Sequence, residues 1–253
     1  MQARLAASLR SGLLVPPYTV AAVAAATGER FAGIDDVVAR LEELDRQGIP
    51  PAGVSLILDA HQAVAAQALR VDFVWSGPEV SGLHARDTRR VYEELLGTAT
   101  SSVWASTCAF FDGPKAFEVL SKRMDAVEDL HVVLLLNIER KWGDTTSADE
   151  LVRRFADRFW GVEWPGNRRP SVFYDPRSLE VGRPAGVLHA KAVVKDDEAV
   201  FVTSANLTEA ALDRNIETGL LVRDRALAMT VVAHFRGLID KGLLVPLPEI
   251  GRL

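Results

Sequence analysis

The sequence predicts an α/β fold: a mixed, mostly parallel sheet flanked by helices and preceded by a small all-α region. Two observations predict it. From residue 71 onward, apolar runs of β character alternate with helix-period stretches, the pattern of strands joined by crossover helices. Ahead of residue 71, the apolar patterns have helical spacing instead. The chain therefore divides into a helical region over 1–70 and an α/β domain over 71–253.

The elements follow in order. Residues 18–27 form an Ala/Val run stopped by Gly28, a C-cap signal. Over 34–47, Ile34, Val37, Val38, Leu41 and Leu44 recur at helical spacing, with Asp35 and Asp36 in the first turn and Gly48 at the stop. Pro50-Pro51 separates this helix from another running through Leu56, Leu58, Val64 and Ala68. These helices are short, so packing must hold them; the region reads as an interaction or packing module. In the second domain, strands are expected at 71–76, 102–107, 131–137, 171–174, 187–195, 199–204 and 216–222. Helices are expected at 87–96, 114–127, 148–160 and 225–241. The unbroken run Val132-Val133-Leu134-Leu135-Leu136 has the composition of a central strand buried on both faces.

Hydrophobic residues make up 48% of the 253 and charged residues 25%, enough to bury a sizeable core. A net charge of −5 excludes a uniformly basic nucleic-acid coat but leaves room for a local basic patch. The one cysteine, Cys108, lies in an apolar run and can form no internal disulfide, which suits a reducing cytosol. Arg4 and Arg10 precede the apolar stretch 20–26, but Pro16, Pro17 and Tyr18 interrupt its approach, so no signal peptide is expected. No apolar window reaches the ~18 residues of a membrane helix. A cytoplasmic protein with no cofactor is the expectation.

The chemistry concentrates near the C-terminus. Val187-Leu188-His189-Ala190-Lys191-Ala192-Val193-Val194-Lys195 and Ala199-Val200-Phe201-Val202-Thr203-Ser204-Ala205-Asn206 meet at the polar tip Asp196-Asp197-Glu198, which reads as a hairpin. A loop of Asp196-Asp197 sets His189 opposite Ser204. A loop of Asp197-Glu198 sets His189 opposite Asn206 and Lys191 opposite Ser204. Either register gathers all four on one face, because strand side chains alternate with period two. Unpaired, a lysine and a histidine are costly inside an apolar hairpin, and a bound anion relieves that cost. Lys191 offers a positive charge, with Ser204 and Asn206 as neutral donors, a cradle for phosphate oxygens. His189 then serves as nucleophile or as general acid/base. It has no Cys or carboxylate at ligand spacing on its face, so metal-free phosphoryl chemistry fits better. Taken singly, each residue reads as an ordinary core or edge-strand residue; the combination and spacing set them apart.

His189-x-Lys191 followed after four intervening residues by Asp196, and then by Thr203, Ser204 and Asn206, resembles the signature of the phospholipase D superfamily. Asn215 and Glu217 match that family's following strand, while Thr203 stands where glycine is usual. The resemblance implies the family's α/β fold and a hydrolytic phosphodiesterase. One histidine forms a phosphohistidine, a second protonates the leaving alcohol, and lysines and asparagines stabilise the equatorial oxygens. His189, Lys191, Ser204, Asn206 and Glu217 carry over to the site. Asp196, at odd spacing from the catalytic face, suits a structural or orienting role.

The family's site requires two such motifs, and only one is present. His84-Ala85-Arg86-Asp87 is the nearest second candidate, but it lies before a helix; His61, His131 and His234 have no suitable neighbours. A symmetric homodimer supplies the missing half. The helical leader, the element Trp75-Ser76-Gly77-Pro78 and Arg86-Asp87-Thr88 are also similar to the phospholipase-D-like subunit of bacterial DISARM antiphage systems. That closer likeness implies defence against foreign DNA, with helicase and methyltransferase partners.

A phosphodiester substrate can be nucleic acid or lipid. No basic amphipathic helix or long apolar insertion points to a membrane. Toward nucleic acid, Arg153, Arg154, Arg158, Arg168, Arg169, Arg177 and Arg183 outnumber the four carboxylates of 151–183, and Trp160 and Trp164 among them are candidates to stack on bases. An equally weighted reading makes these arginines a solvated surface and the tryptophans core. Two further readings stay open: a catalytically silent nucleic-acid-binding subunit, and a hydrolase of lipid headgroups or small diesters. Serine acyl hydrolysis is disfavoured, for no Gly-x-Ser-x-Gly elbow occurs.

Overall fold

The structure is a computed structural model, and it describes residues 1–66, 69–79, 81–109, 112–181 and 186–249. The chain divides into two compact units, Met1–Ala68 and Leu69–Leu253. The first holds four helices: α1 (Gln2–Arg10), α2 (Val20–Thr27), α3 (Ile34–Arg46) and α4 (Pro51–Ala66). Thr19 caps α2 by accepting from Ala22 N at 3.1 Å, and Gly28 ends it at φ 78°. Leu5, Leu9, Leu14, Tyr18, Val23, Ile34, Leu41 and Val54 form this unit's own core.

The second unit opens with β1 (Arg70–Ser76), β2 (Arg86–Asp87), α5 (Thr88–Thr98) and β3 (Ser102–Thr107). Then come α6 (Gly113–Ala116), α7 (Glu118–Ala126), β4 (His131–Leu136) and α8 (Ala148–Arg158), which runs on as a π-helical turn, Phe159–Glu163. β5 (Ser171–Tyr174), β6 (Ala192–Lys195), β7 (Ala199–Thr203), α9 (Glu209–Asp213), β8 (Glu217–Arg223), α10 (Arg225–Asp240) and β9 (Val245–Pro246) complete it. Nine strands form one mixed sheet, ordered β2-β1-β8-β7-β6-β3-β4-β5-β9. Residues of α5, α7 and α8 join β-strand residues such as Val103, Leu134, Val193 and Phe201 in the main core. On the opposite face, Ala228 and Val232 of α10 pack on Trp104, Val194, Val200 and Val222. Among the described residues no helix is long and apolar enough to cross a membrane.

Helices thus flank a mixed sheet and a helical region precedes it, as the sequence predicts. The balance of strand directions differs. β1–β2, β3–β4 and β4–β5 run parallel, whereas β1–β8, β3–β6, β5–β9, β6–β7 and β7–β8 run antiparallel. Parallel pairs need a long crossover, usually through a helix, as α7 provides between β3 and β4 and α8 between β4 and β5. The short β6–β7 connection, Asp196 to Glu198, permits only an antiparallel return.

Two local expectations also change. The strand expected over 187–195 joins the ladder only at Ala192–Lys195, and the hairpin takes neither anticipated register. Lys195 pairs with Ala199 and Ala192 with Val202, leaving Asp196, Asp197 and Glu198 as the connection. Asp196 and Asp197 both sit at φ 53°, and Glu198 N donates to Lys195 O at 2.9 Å. Glu198 is the extra residue that shifts the ladder by one, as a bulge does.

Candidate active site

Because β6 runs against β3, β7 against β6 and β8 against β7, the starts of β6 and β8 lie beside the ends of β3 and β7. The end of β4 joins them through its parallel pairing with β3. His189, Lys191, Ser204, Asn206 and Glu217 all belong to chain at this end of the strands. Lys191 lies opposite Thr203, whose N–H donates to Lys191 O at 3.1 Å, so Ser204 and Asn206 do not share the two-residue alternation of His189 and Lys191. They reach the same end because the chain leaves β7 after Thr203.

Lys191 is only 7% exposed, and its ammonium donates to the carbonyl of His189 at 2.9 Å. No carboxylate among the described residues pairs with it, so a buried cation retains two unused N–H donors. His189 itself is exposed to solvent. Its segment is fastened from β4: Asn137, the residue after that strand, accepts Leu188 N at 3.2 Å through Oδ1. Ser106 Oγ accepts Ala192 N at 3.2 Å on the other side of Lys191.

Ser204 and Asn206 differ in availability. The Ser204 hydroxyl donates to Glu217 Oε2 and accepts from Thr218 N at 3.1 Å, so its single proton is engaged and it is no open donor, contrary to its expected part in the cradle. Asn215 Nδ2 donates to the other oxygen of Glu217 at 3.3 Å. The charge of Glu217, second to burial, raises the Tyr92 hydroxyl well above the ordinary phenol value. Asn206 Oδ1 lies 3.5 Å from Thr107 Oγ1, whose one proton goes instead to Ala109 O at 2.8 Å, so the Asn206 amide is left for a ligand. Thr107 Oγ1 also accepts Leu207 N at 3.2 Å, and Tyr92 donates to Ala205 O at 3.1 Å. Tyr92, Thr107 and Asn137 are supports that the motif spacing does not disclose, since each acts from a distant strand or helix.

Thr203, at the usual glycine position, creates no clash. Its hydroxyl donates to Thr218 O at 3.1 Å and accepts Ala205 N at 3.0 Å, fixing the exit from β7. Space comes from Gly219 directly across, where a Cβ would lie 2.6 Å from the Phe201 ring and 2.9 Å from Thr203 Cβ. Beside this, Ser76 pairs with Glu217 across β1 and β8, and its buried hydroxyl has no hydrogen-bond partner among the described residues.

Asp196 lies at the other end of β6, about 16 Å of extended chain from Lys191. Its carboxylate accepts from Thr100 N (2.9 Å), Ser101 N (2.7 Å) and Ser102 N (3.0 Å), and from the Thr100 and Ser101 hydroxyls at 3.0 Å. It therefore fastens the hairpin tip to the start of β3 and is remote from His189. These bonds give Asp196 a structural role at the opposite end of β6 from the candidate catalytic groups.

The second-motif candidate and the basic cluster also find other uses. Arg86 and Asp87 form β2, and Arg86 pairs with Asp72 at 3.1 Å and with Glu94. Arg153 and Arg154 bind Glu150, Arg177 binds Asp175, and Arg168 donates to the carbonyls of Met124 and Val127. Trp164 is 6% exposed in the core, donating to Arg168 O at 2.8 Å, while Arg169 lies 4.8 Å over the Trp160 ring. The core-and-surface reading holds for Trp164; Arg183 lies outside the described residues. No group of three or more His, Cys, Asp and Glu side chains among the described residues is arranged to hold a metal.

The family model described as the cardiolipin synthase, phospholipase D-like domain matches residues 92–239, more than half the chain. No protein of curated function matches the sequence. Similar solved structures include a phospholipase D family member, Nuc, from Salmonella typhimurium, with 16% identity and a TM-score of 0.44 over 71% of this chain and 98% of that one. NucT from Helicobacter pylori has 17% identity and a TM-score of 0.48 over 71% and 99%. The phosphatidylserine synthase of Haemophilus influenzae has 18% identity and a TM-score of 0.47 over 72% and 40%.

Proposed function

This chain belongs to the phospholipase D-like family, and on that premise we propose that it is a metal-independent phosphodiesterase, acting as a nuclease on DNA. The observation that carries the proposal is Lys191, a buried ammonium without a carboxylate partner, one residue removed from exposed His189. Leaving such a charge uncompensated costs several kcal/mol by the usual scale of ion desolvation, about what a phosphate oxygen bound beside it restores. The NH2 of Asn206 adds a neutral donor for a second oxygen.

The chemistry takes two displacements. A His189 ring nitrogen attacks phosphorus, forming an N–P bond as the bond to the leaving oxygen breaks. A second histidine gives its proton to that oxygen, so the product leaves as an alcohol. The same histidine then takes a proton from water, whose oxygen attacks phosphorus and breaks the N–P bond, freeing His189. One motif per chain makes His189 of a second copy the natural proton donor, in a site shared across a two-fold axis. We place the enzyme in the cytoplasm, in DISARM-type antiphage defence beside helicase and methyltransferase subunits, on the likeness of the leader and the Trp75-Ser76-Gly77-Pro78 element.

The test compares wild type with His189→Ala on end-labelled single- and double-stranded DNA in excess EDTA. Cleavage that survives EDTA and disappears in the variant is expected. Cleavage that EDTA abolishes, or that the variant retains, rejects this reading. Inactivity on DNA with release of lipid headgroups moves the substrate to lipid; inactivity on every diester leaves a binding subunit.

A further inference from the structure

We infer that Trp142, with Lys141 beside it, is a stacking platform for an unpaired base of a single-stranded nucleic acid. This rests on the phosphodiesterase reading only in the choice of polymer. The indole is 104% exposed, the most of any large apolar side chain described. A side chain with so much apolar surface ordinarily finds cover, and one left wholly in water needs a reason.

The loop holding it up is built. Arg140 donates to three backbone carbonyls, Leu179 O at 2.8 Å, Asp144 O at 2.9 Å and Thr146 O at 2.6 Å. Asp144 N donates to Lys141 O at 3.0 Å, and Asp144 Oδ1 accepts Thr146 N at 2.8 Å, closing a turn with Gly143 at φ 78°. Ile138, 3% exposed, anchors the near side. An arginine that binds its own loop's backbone fixes the tip, so the loss of side-chain freedom on stacking is small.

Position makes the tip relevant to the site. The loop follows β4, and Asn137 at its start holds the N–H of Leu188, next to His189. Trp142 is five residues on, so its Cα is at most about 18 Å from that of Asn137. A strand with its phosphate at Lys191 reaches that far within a few nucleotides. Lys141 is exposed and has no ion-pair partner among the described residues, and so is available to a phosphate next to the stacked base. Duplex bases are already stacked on each other, which leaves a protruding indole to unpaired ones. Trp160 and Trp164 do not fill this role: Trp164 is buried in the core, and the Arg169 guanidinium lies 4.8 Å over the Trp160 ring.

The test measures binding by fluorescence anisotropy in the His189→Ala background, which prevents cleavage. The probes are labelled single-stranded DNA and RNA of one sequence, a DNA version made abasic throughout, and vesicles rich in anionic lipid. Trp142→Ala is expected to weaken binding of the intact strands about ten-fold and of the abasic strand hardly at all, with the salt slope unchanged. Trp142→Phe is expected to recover most of the loss. Equal losses on intact and abasic strands mean a fold or charge effect and overturn the inference, as does no loss at all. A loss confined to vesicles assigns the tryptophan to a membrane instead. Trp142-dependent binding by a protein that cleaves nothing keeps this inference and rejects the phosphodiesterase; cleavage indifferent to Trp142 does the reverse.

Discussion

Asp196→Asn separates a structural from a catalytic role for the motif's aspartate. The carboxylate is 7% exposed and holds three backbone N–H groups and two hydroxyls of the Thr100–Ser102 segment. A hydrogen bond to a charged group is worth about 1.5–3 kcal/mol, but water replaces part of each bond at this surface tip, so the whole set amounts to about 2–4 kcal/mol. Asparagine tolerates the left-handed φ of 53° yet offers one acceptor oxygen in place of two. Thermal melts should fall by about 5–15 °C at pH 7. Burial alone raises this carboxyl, but the N–H groups of Ser102, Ser101 and Thr100 together outweigh it and hold the group below its ordinary value. With the folded value depressed, the carboxylate's stabilisation is complete above the unfolded value of about 4 and disappears as pH falls through the folded one. The gap between wild type and variant should therefore be constant from pH 5 to 8 and close below about pH 4. Initial rates at a temperature where both are folded should agree within about two-fold, because a group this far from the chemistry leaves transition-state binding intact. A variant that melts like wild type but turns over 100-fold slower would refute this assignment.

Three further outcomes follow from the same structure. Lys191→Met should hold or raise the melting temperature, since it removes a buried cation without a partner, while diester cleavage falls about 10³-fold; marked destabilisation would mean the ammonium is structural. Gly219→Ala should destabilise by about 1–3 kcal/mol, because its Cβ would meet Phe201 and Thr203, and Thr203→Gly in the same chain should recover part of that in denaturant titrations. The Glu209 carboxyl, held by Arg89 first and Lys115 next, should titrate at about 2 in carbon-detected NMR. Its contribution to α9, just past Asn206, is then present above the ordinary glutamate value and lost as pH falls toward 2; Arg89→Ala should return the midpoint toward 4.

Much of the fold was legible because composition and period decide it. β3 and β5 have the anticipated bounds, and Val132–Leu136 is a strand with both neighbours in the sheet. The proportion of parallel pairs was overestimated, because alternation of strand and helix does not by itself fix strand direction: β8 follows α9 and still runs antiparallel to β7. The hairpin register was missed by one residue: period-two patterning cannot count loop residues, and both trial loops had two residues where the connection Asp196, Asp197 and Glu198 has three. That slip also shows why Ser204 and Asn206 reach the site by the turn after Thr203 and not by alternation. The helix expected over 114–127 is broken at Phe117, which is fully buried between α6 and α7. Tyr92, Thr107 and Asn137 act over separations of 51 to 113 residues, for which spacing within a motif gives no signal. Trp142 was passed over for tryptophans among arginines, because exposure, unlike charge, is not written in composition.

The account's central claim is that phosphorus passes through a covalent bond to His189. The most direct measurement hydrolyses a phosphorothioate diester of one configuration in oxygen-18 water and determines the configuration of the labelled product. Each in-line displacement inverts phosphorus, so attack by His189 followed by attack by water predicts net retention. Net inversion would show a single displacement by water and contradict the nucleophilic role assigned to His189.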